Sequence, residues 1–289
     1  MENIIQKYGF SISEEAIESK LNEIRAKLES YNTPENLNKC LGLMDLTTLN
    51  STDVPLKVKL LTNKVNEFKA HYPKYSTPAS ICVYPNLGRT VKENLKIGGV
   101  NVTVVAGVFP TSQSFLDVKL LECKLACNGG TDEVDIVLAL NKFLEGNFEG
   151  TALEISKIKE VVGNRHLKVI LESGALSSPI KIAAASFIAM EAGADFIKTS
   201  TGKMEPAATP QAAIVMCEAI KTFYKATGKK IGFKPAGGMV KSIDALLYLA
   251  IVDTILGEEW LNPEYLRLGA SRLANNLLSD LEGCQVTYY

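Results

Sequence analysis

The chain has 289 residues, 46% of them apolar, with 31 basic and 32 acidic side chains and a net charge of −1. That is ample apolar material for a large core, and the balanced charge leaves no basic excess for a nucleic-acid or membrane-surface role. Six scattered cysteines without a CxxC pair, and only two histidines, argue against a zinc site and for a reducing compartment.

The N-terminus is polar and acidic, with no signal-peptide core, and no apolar run reaches the length of a membrane span. The chain therefore reads as cytoplasmic. Residues 1–38 read as a helical extension. Ser11 and Glu14 have capping-box spacing. Ile17, Leu21, Ile24 and Leu28 recur at helical spacing, and Asn32-Thr33-Pro34 closes the helix. The extension either caps one end of the fold or makes an oligomer contact.

From residue 39 onward, strands and helices alternate. The first strand is expected over 40–47, where Asp45 sits among apolar neighbours and either takes part in catalysis or, preferably, orients other polar groups. A helix follows over 54–70. The second strand is 79–84, stopped by Pro85, and contains Cys82. The third is 101–108. The helix over 114–127 ends at Asn128-Gly129-Gly130 and packs Cys123 and Cys127 as small apolar groups. In the fourth strand, 133–138, Asp135 interrupts an apolar run, so its side chain must face a polar lumen. A helix over 152–162 leads to the fifth strand, 167–172, with Lys168 and Glu172 on one alternation. Lys168 is either a partner for Asp135 or simply a strand lysine. A helix over 180–192 precedes the sixth strand, 194–198, which ends in Lys198. Thr209-Pro210 opens the next helix, which stops at Gly228. The seventh strand, 231–234, ends in Lys234 and is followed by a helix over 242–250. The eighth is 265–269. Ala270-Ser271-Arg272 opens the last helix, and the tail ends in Tyr288-Tyr289.

Eight strand–helix units imply a parallel sheet closed into a (β/α)8 TIM barrel over 39–289. A doubly wound open sheet is disfavoured because no GxGxxG follows the first strand. Active sites of barrels lie at the C-terminal ends of the strands. There the alternation allows Asp135, Lys198 and Lys234 to point inward.

Two strand-end lysines make a chemical pair. With a pKa of about 10.4, only on the order of 0.1% of free lysine is neutral near pH 7. Burial and a neighbouring ammonium both favour the neutral form. Lowering the pKa by about 3 units requires roughly 4 kcal/mol, which one close cation in a low-dielectric pocket can supply. The product is an amine able to attack a carbonyl. Either lysine alone would read as one that reaches solvent or pairs with a carboxylate. The pairing, with a glycine-containing loop after each, is what favours chemistry. Beyond Lys198 come the hydroxyls of Thr199, Ser200 and Thr201, then Gly202 and Lys203. With Gly237-Gly238 and Gly269-Ala270-Ser271 these loops gather at one end, as an anion nest would require. Tight turns are the plainer use of such glycines.

Seven segments, in this order, carry a resemblance: LMDLTTLN (43–50), ICVYPN (81–86), DEVDIV (132–137), LKVILESG (167–174), GADFIKTSTGK (193–203), GFKPAGG (232–238) and LGAS (268–271). They resemble the deoxyribose-phosphate aldolases, class I aldolases on a (β/α)8 barrel. The resemblance implies reversible cleavage of 2-deoxyribose 5-phosphate to glyceraldehyde 3-phosphate and acetaldehyde, in deoxyribose-phosphate and nucleotide catabolism. Lys198 would form the Schiff base, and Lys234 would lower its pKa. Asp135 with a water would shuttle protons. Gly202, Lys203, Gly237, Gly238 and Ser271 would hold the phosphate, with Asp45, Lys168, Cys82 and Thr199 in support. Tyr289 would enter the site from a mobile C-terminal tail. The resemblance also implies a small phosphosugar substrate, a homo-oligomer (a dimer), and no metal or organic cofactor. Arg272 stands where shorter members have a second serine, and the N-terminal extension is longer than theirs. A transaldolase-like enzyme and a non-catalytic phosphosugar-binding barrel are the alternatives.

Overall fold

Successive side chains of a strand point to opposite faces, and in this chain the two faces differ in chemistry. The computed structural model describes residues 1–289. Its strands are β1 (Met44–Thr47), β2 (Ser80–Val83), β3 (Asn101–Ala106), β4 (Glu133–Val137), β5 (His166–Ile170), β6 (Phe196–Lys198), β7 (Gly232–Lys234) and β8 (Leu268–Ala270). All neighbouring pairs are parallel, in the order β7-β6-β5-β4-β3-β2-β1-β8. Bridges Phe233–Leu266 and Ala236–Gly269 join the two ends, so the sheet is a (β/α)8 barrel. Val102, Val104, Val134, Ile136, Leu167 and Val169 face outward into one core shared with the helices.

Those helices are α4 (Pro55–His71), α5 (Gly88–Asn94), α6 (Leu116–Asn128), α7 (Leu140–Leu144), α8 (Phe148–Val162), α9 (Ser173–Leu176), α10 (Pro179–Glu191), α11 (Pro210–Thr227), α12 (Ser242–Leu256) and α13 (Leu273–Glu282). No helix is long and apolar enough to cross a membrane.

Three helices precede the barrel: α1 (Glu2–Lys7), α2 (Glu14–Tyr31) and α3 (Pro34–Gly42). Ile17, Leu21 and Ile24 on α2 are buried, and α2 packs on α11 and α12. Full burial of one such leucine stabilises the fold by about 1.5–3 kcal/mol.

The structure corrects several expected boundaries. Ser13, not Ser11, caps α2, its hydroxyl accepting from the Ala16 N–H. Residues 40–42 are helical, and the first strand begins only at Met44. Thr33 accepts from the Asn36 N–H and Pro34 takes the first helical position. The Thr-Pro pair that ends α2 therefore also starts α3, which runs across residues 38 and 39. The eighth strand is Leu268–Ala270; the residues just before it meet β7 only at an isolated bridge, where the Phe233 N–H donates to the Tyr265 carbonyl and the Arg267 N–H to the Phe233 carbonyl. After β4 the chain forms a short helix, α7, before the expected one, α8.

Candidate active site

The inward faces of the strands are built largely of charge. β1 contributes Asp45, β4 Glu133 and Asp135, β5 Lys168, β6 Lys198 and β7 Lys234, and Arg267 enters just before β8. All seven are buried. Barrel lumens are ordinarily filled by branched aliphatic side chains. Here Phe196 supplies the apolar base. Its ring fills the space beside Gly232, where an added Cβ would lie 2.3 Å from Phe196 Cε1. Lys168 Nζ and the Arg267 guanidinium both lie 5.8 Å from that ring's centroid, within cation–π range.

The seven charges form one network. Asp135 Oδ2 accepts from Lys198 Nζ at 2.9 Å and from Lys234 Nζ at 2.7 Å, while Oδ1 accepts from Lys168 Nζ at 3.1 Å. Lys234 Nζ also lies 2.5 Å from Asp45 Oδ2. Arg267 bridges Asp45 Oδ1 at 2.7 Å and Glu133 Oε1 at 2.6 Å. Lys168 donates to Glu133 Oε2 at 2.5 Å. Ser80 donates to Asp45, and Thr103 and Asn101 donate to Glu133, each at 2.7 Å. Burial without such partners would cost several kcal/mol per ion, on the order given by charge desolvation.

Three carboxylates face four cations, so the network balances when one cation is neutral. Lys198 is the one whose pKa falls below the ordinary lysine value. Burial is the largest cause, Asp135 opposes it, and repulsion from Lys234 adds to the lowering. Burial also acts on Lys234 and Lys168, but the carboxylates around each outweigh it and hold both above that value. Burial would raise Asp45, yet Lys234, Arg267 and Lys168 bring it down to about 2. Asp135 is likewise held well below the carboxylate range, burial being outweighed by its three lysines.

Above the network a cavity of about 240 Å³ opens at the C-terminal ends of the strands. Lys198 is the one member of the network that lines it. Lys203 spans the mouth, its ammonium donating to the Leu49 carbonyl at 2.6 Å. Gly202 and Gly237 lie on the wall with φ of +71° and +81°, conformations that side chains with a Cβ rarely adopt. Ser271 completes that side. Positive-φ backbone, a lysine and a hydroxyl at one end, with a depressed lysine at the other, suit a small carbonyl compound with an anionic tail.

The structure places the remaining expected residues as follows. Gly238 is exposed and is not part of the cavity wall. Thr199 joins the loops after β6 and β7, its hydroxyl accepting from the Ala236 N–H at 3.0 Å. Cys82 is fully buried beside the network, and burial raises its thiol pKa. Arg272 caps α13, exposed, and lines an adjoining cleft that shares Thr47, Thr48 and Ser271 with the lysine cavity. Tyr289 lines that same cleft, outside the lysine cavity. Its ring stacks on Phe68, its backbone is held by Asn275, and its hydroxyl has no partner.

Sequence patterns alone assign no role to three participants. Glu133 and Arg267 complete the charge balance, and both share strand parity with residues that were noticed, Asp135 and Gly269. Glu172 is the third. It adopts φ +52° at the end of the β5 segment, and its carboxylate accepts from the Thr201 N–H at 3.1 Å and the Thr201 hydroxyl at 2.6 Å. Thr201 in turn accepts from the Lys203 N–H at 3.0 Å. Glu172 thereby fixes the loop that carries Gly202 and Lys203.

Fold and site together have the features of barrel enzymes that act on small anionic carbonyl compounds through a lysine. Comparison with known proteins narrows that class. The family model described as DeoC/LacD family aldolase matches residues 40–256, and the chain belongs to that family. It is an aldolase, an aldehyde-lyase by class. The human deoxyribose-phosphate aldolase is 41% identical over 261 residues, covering 85% of this chain and 79% of that protein. The Bos taurus enzyme of the same name is 40% identical with the same coverage. Among solved structures, the tetrameric deoxyribose phosphate aldolase from Aeropyrum pernix superposes with a TM-score of 0.64 at 23% identity. The match covers 93% of this chain and 98% of that one. A Toxoplasma gondii structure matches with a TM-score of 0.76, also at 23% identity, over 86% and 95% of the two chains. At that identity the structures bear on the fold alone.

Proposed function

We propose that this chain cleaves 2-deoxyribose 5-phosphate reversibly to glyceraldehyde 3-phosphate and acetaldehyde through an imine on Lys198. The observation that carries the reading is that Lys198 combines a depressed pKa with access to the cavity. Neutral Lys198 adds to the C1 aldehyde, and loss of water gives the imine. Protonated, it is the electron sink for the C2–C3 bond. As that bond breaks, a water held by Asp135 takes the C3 hydroxyl proton, and glyceraldehyde 3-phosphate leaves. The enamine is protonated at C2. Water then hydrolyses the imine, releasing acetaldehyde and the free amine. Lys234, paired with the same Asp135 oxygen, positions that carboxylate and keeps Lys198 neutral. Gly202, Gly237, Lys203 and Ser271 hold the phosphate, and Glu172 positions their loop.

We also infer a place in deoxyribonucleotide catabolism, a cytoplasmic setting and a homodimer. The setting rests on six free cysteines, five of them buried, in keeping with a reducing compartment. Borohydride trapping tests the chemistry. Protein mixed with 2-deoxyribose 5-phosphate, reduced and digested, is expected to carry a two-carbon or sugar adduct on Lys198. Lys198→Leu should lose both adduct and turnover while retaining phosphate-dependent binding. An adduct on Lys234, or turnover near wild type in Lys198→Leu, would refute the assignment.

A further inference from the structure

Helix α6 has two apolar faces. Lys119, Cys123, Ala126 and Cys127 turn inward and are buried. On the opposite side Val118, Leu121 and Leu125 are exposed by 47, 57 and 61%, and Phe115 at the helix entrance by 81%. Leu144 on α7 and Leu153 on α8 are also more than half exposed, and α8 packs against both α6 and α7. Single exposed leucines need no explanation. Six large apolar side chains on adjoining helices do. At roughly 150–200 Å² per large side chain they expose on the order of 600 Å² of apolar surface, at the top of the range for a monomer's largest patch. A standard interface buries about 800 Å² per partner.

The charges beside this stripe are self-complementary. Asp117 and Lys124 are exposed, seven residues apart, with Leu121 between them. The ion pairs of this region, Lys119 and Lys142 with Glu154, use neither. When a second α6 crosses antiparallel at Leu121, each Asp117 comes beside the other copy's Lys124, and Val118 comes beside Leu125. A two-fold interface requires this self-matching of one patch. The N-terminal helices do not compete for the role, since α2 lays its apolar face on α11 and α12 of its own chain and ties Lys20 to Glu218.

We propose that two copies of the chain associate through this face, α6 antiparallel on α6 about a two-fold axis at Leu121. The proposal rests on the homodimer reading and adds the surface to it. Sedimentation of the full-length protein across micromolar concentrations tests both. Wild type is expected to be a dimer. Leu121→Glu combined with Leu125→Glu should weaken self-association by on the order of 100-fold or more, as loss of central apolar anchors does. Its circular dichroism should match wild type, and it should still melt cooperatively, lower only by the stabilisation that association supplies. Asp117→Lys and Lys124→Asp should each weaken the dimer, and the two together should restore it. That charge exchange keeps the test decisive if the glutamate variant fails to fold. A monomeric wild type overturns the homodimer reading and this face with it. A wild-type dimer that persists in the folded glutamate variant, or is unmoved by the single charge changes, overturns the face alone. Failure of the double exchange to restore the dimer overturns the antiparallel arrangement.

Discussion

Replacing Lys234 by leucine removes one ammonium from the centre of the network and leaves Lys198, the proposed nucleophile, in place. Lys198 and Lys234 share Asp135 Oδ2 at 2.9 and 2.7 Å, so their nitrogens lie within about 6 Å of each other, inside the range where like charges shift pKa values. At about 5 Å and an effective dielectric constant of about 20, their repulsion is roughly 3 kcal/mol, or about 2 pKa units. The secondary effects have the same sign. Asp135 and Asp45 each lose a cationic partner, and an Asp135 with one fewer lysine attracts the Lys198 proton more strongly. The pKa of Lys198 in Lys234→Leu is therefore expected to rise by about 2 units, and its neutral fraction near pH 7 to fall on the order of 100-fold. The assay is the rate of imine formation with 2-deoxyribose 5-phosphate, quenched with borohydride at a series of pH values. Neutral amine is the reactive form, so the rate climbs as pH rises through the Lys198 pKa, and the variant's midpoint should lie about 2 units higher than that of wild type. The midpoint is the quantity to read, because Lys234 also holds Asp135 and the plateau can change for that reason. A midpoint that stays put, or moves to lower pH, would show that Lys234 does not keep Lys198 neutral.

Three further outcomes follow from the same geometry. Arg267→Met leaves Asp45 and Glu133 buried without their shared cation, and should destabilise the protein by about 3–5 kcal/mol, a drop in Tm of roughly 10 °C; a melting curve like that of wild type would show that the bridge is dispensable. Asp45 titrates at about 2 in the folded protein, below its value of about 3.9 in an unfolded chain. Its contribution is fully present above pH 4 and lost as pH falls from about 4 towards 2. Acid unfolding monitored by circular dichroism should be less steep in this window for Asp45→Asn. Gly237→Ala forces a Cβ into a φ of +81° and within 2.8 Å of Ala207 Cβ and 3.0 Å of Gly202 Cα. KM for the phosphorylated sugar should rise on the order of 10-fold, with the rate on unphosphorylated deoxyribose nearly unchanged; an equal loss on both would remove the wall from phosphate binding.

The barrel was legible in the sequence, and the strand-end lysines stood out there as a candidate centre. Each strand–helix unit announces itself locally, through a short apolar run, a turn and a helical period. A charge that interrupts an apolar strand, as Asp135, Lys198 and Lys234 do, is visible because burying it alone would be prohibitive. Thr33-Pro34 misled because one dipeptide both ends α2 and begins α3, and only packing reveals the second use. Tertiary structure alone decided how the charges are shared. Arg267 and Glu133 lie 134 residues apart in the chain, and nothing local says that they meet. Their pairing follows from barrel closure, which brings the chain before β8 across the lumen from β4. The same holds for the neutral amine. Whether Lys198 or Lys234 loses its proton depends on counting every carboxylate around each one, and that count exists only once eight strands have turned their inner faces to a common axis.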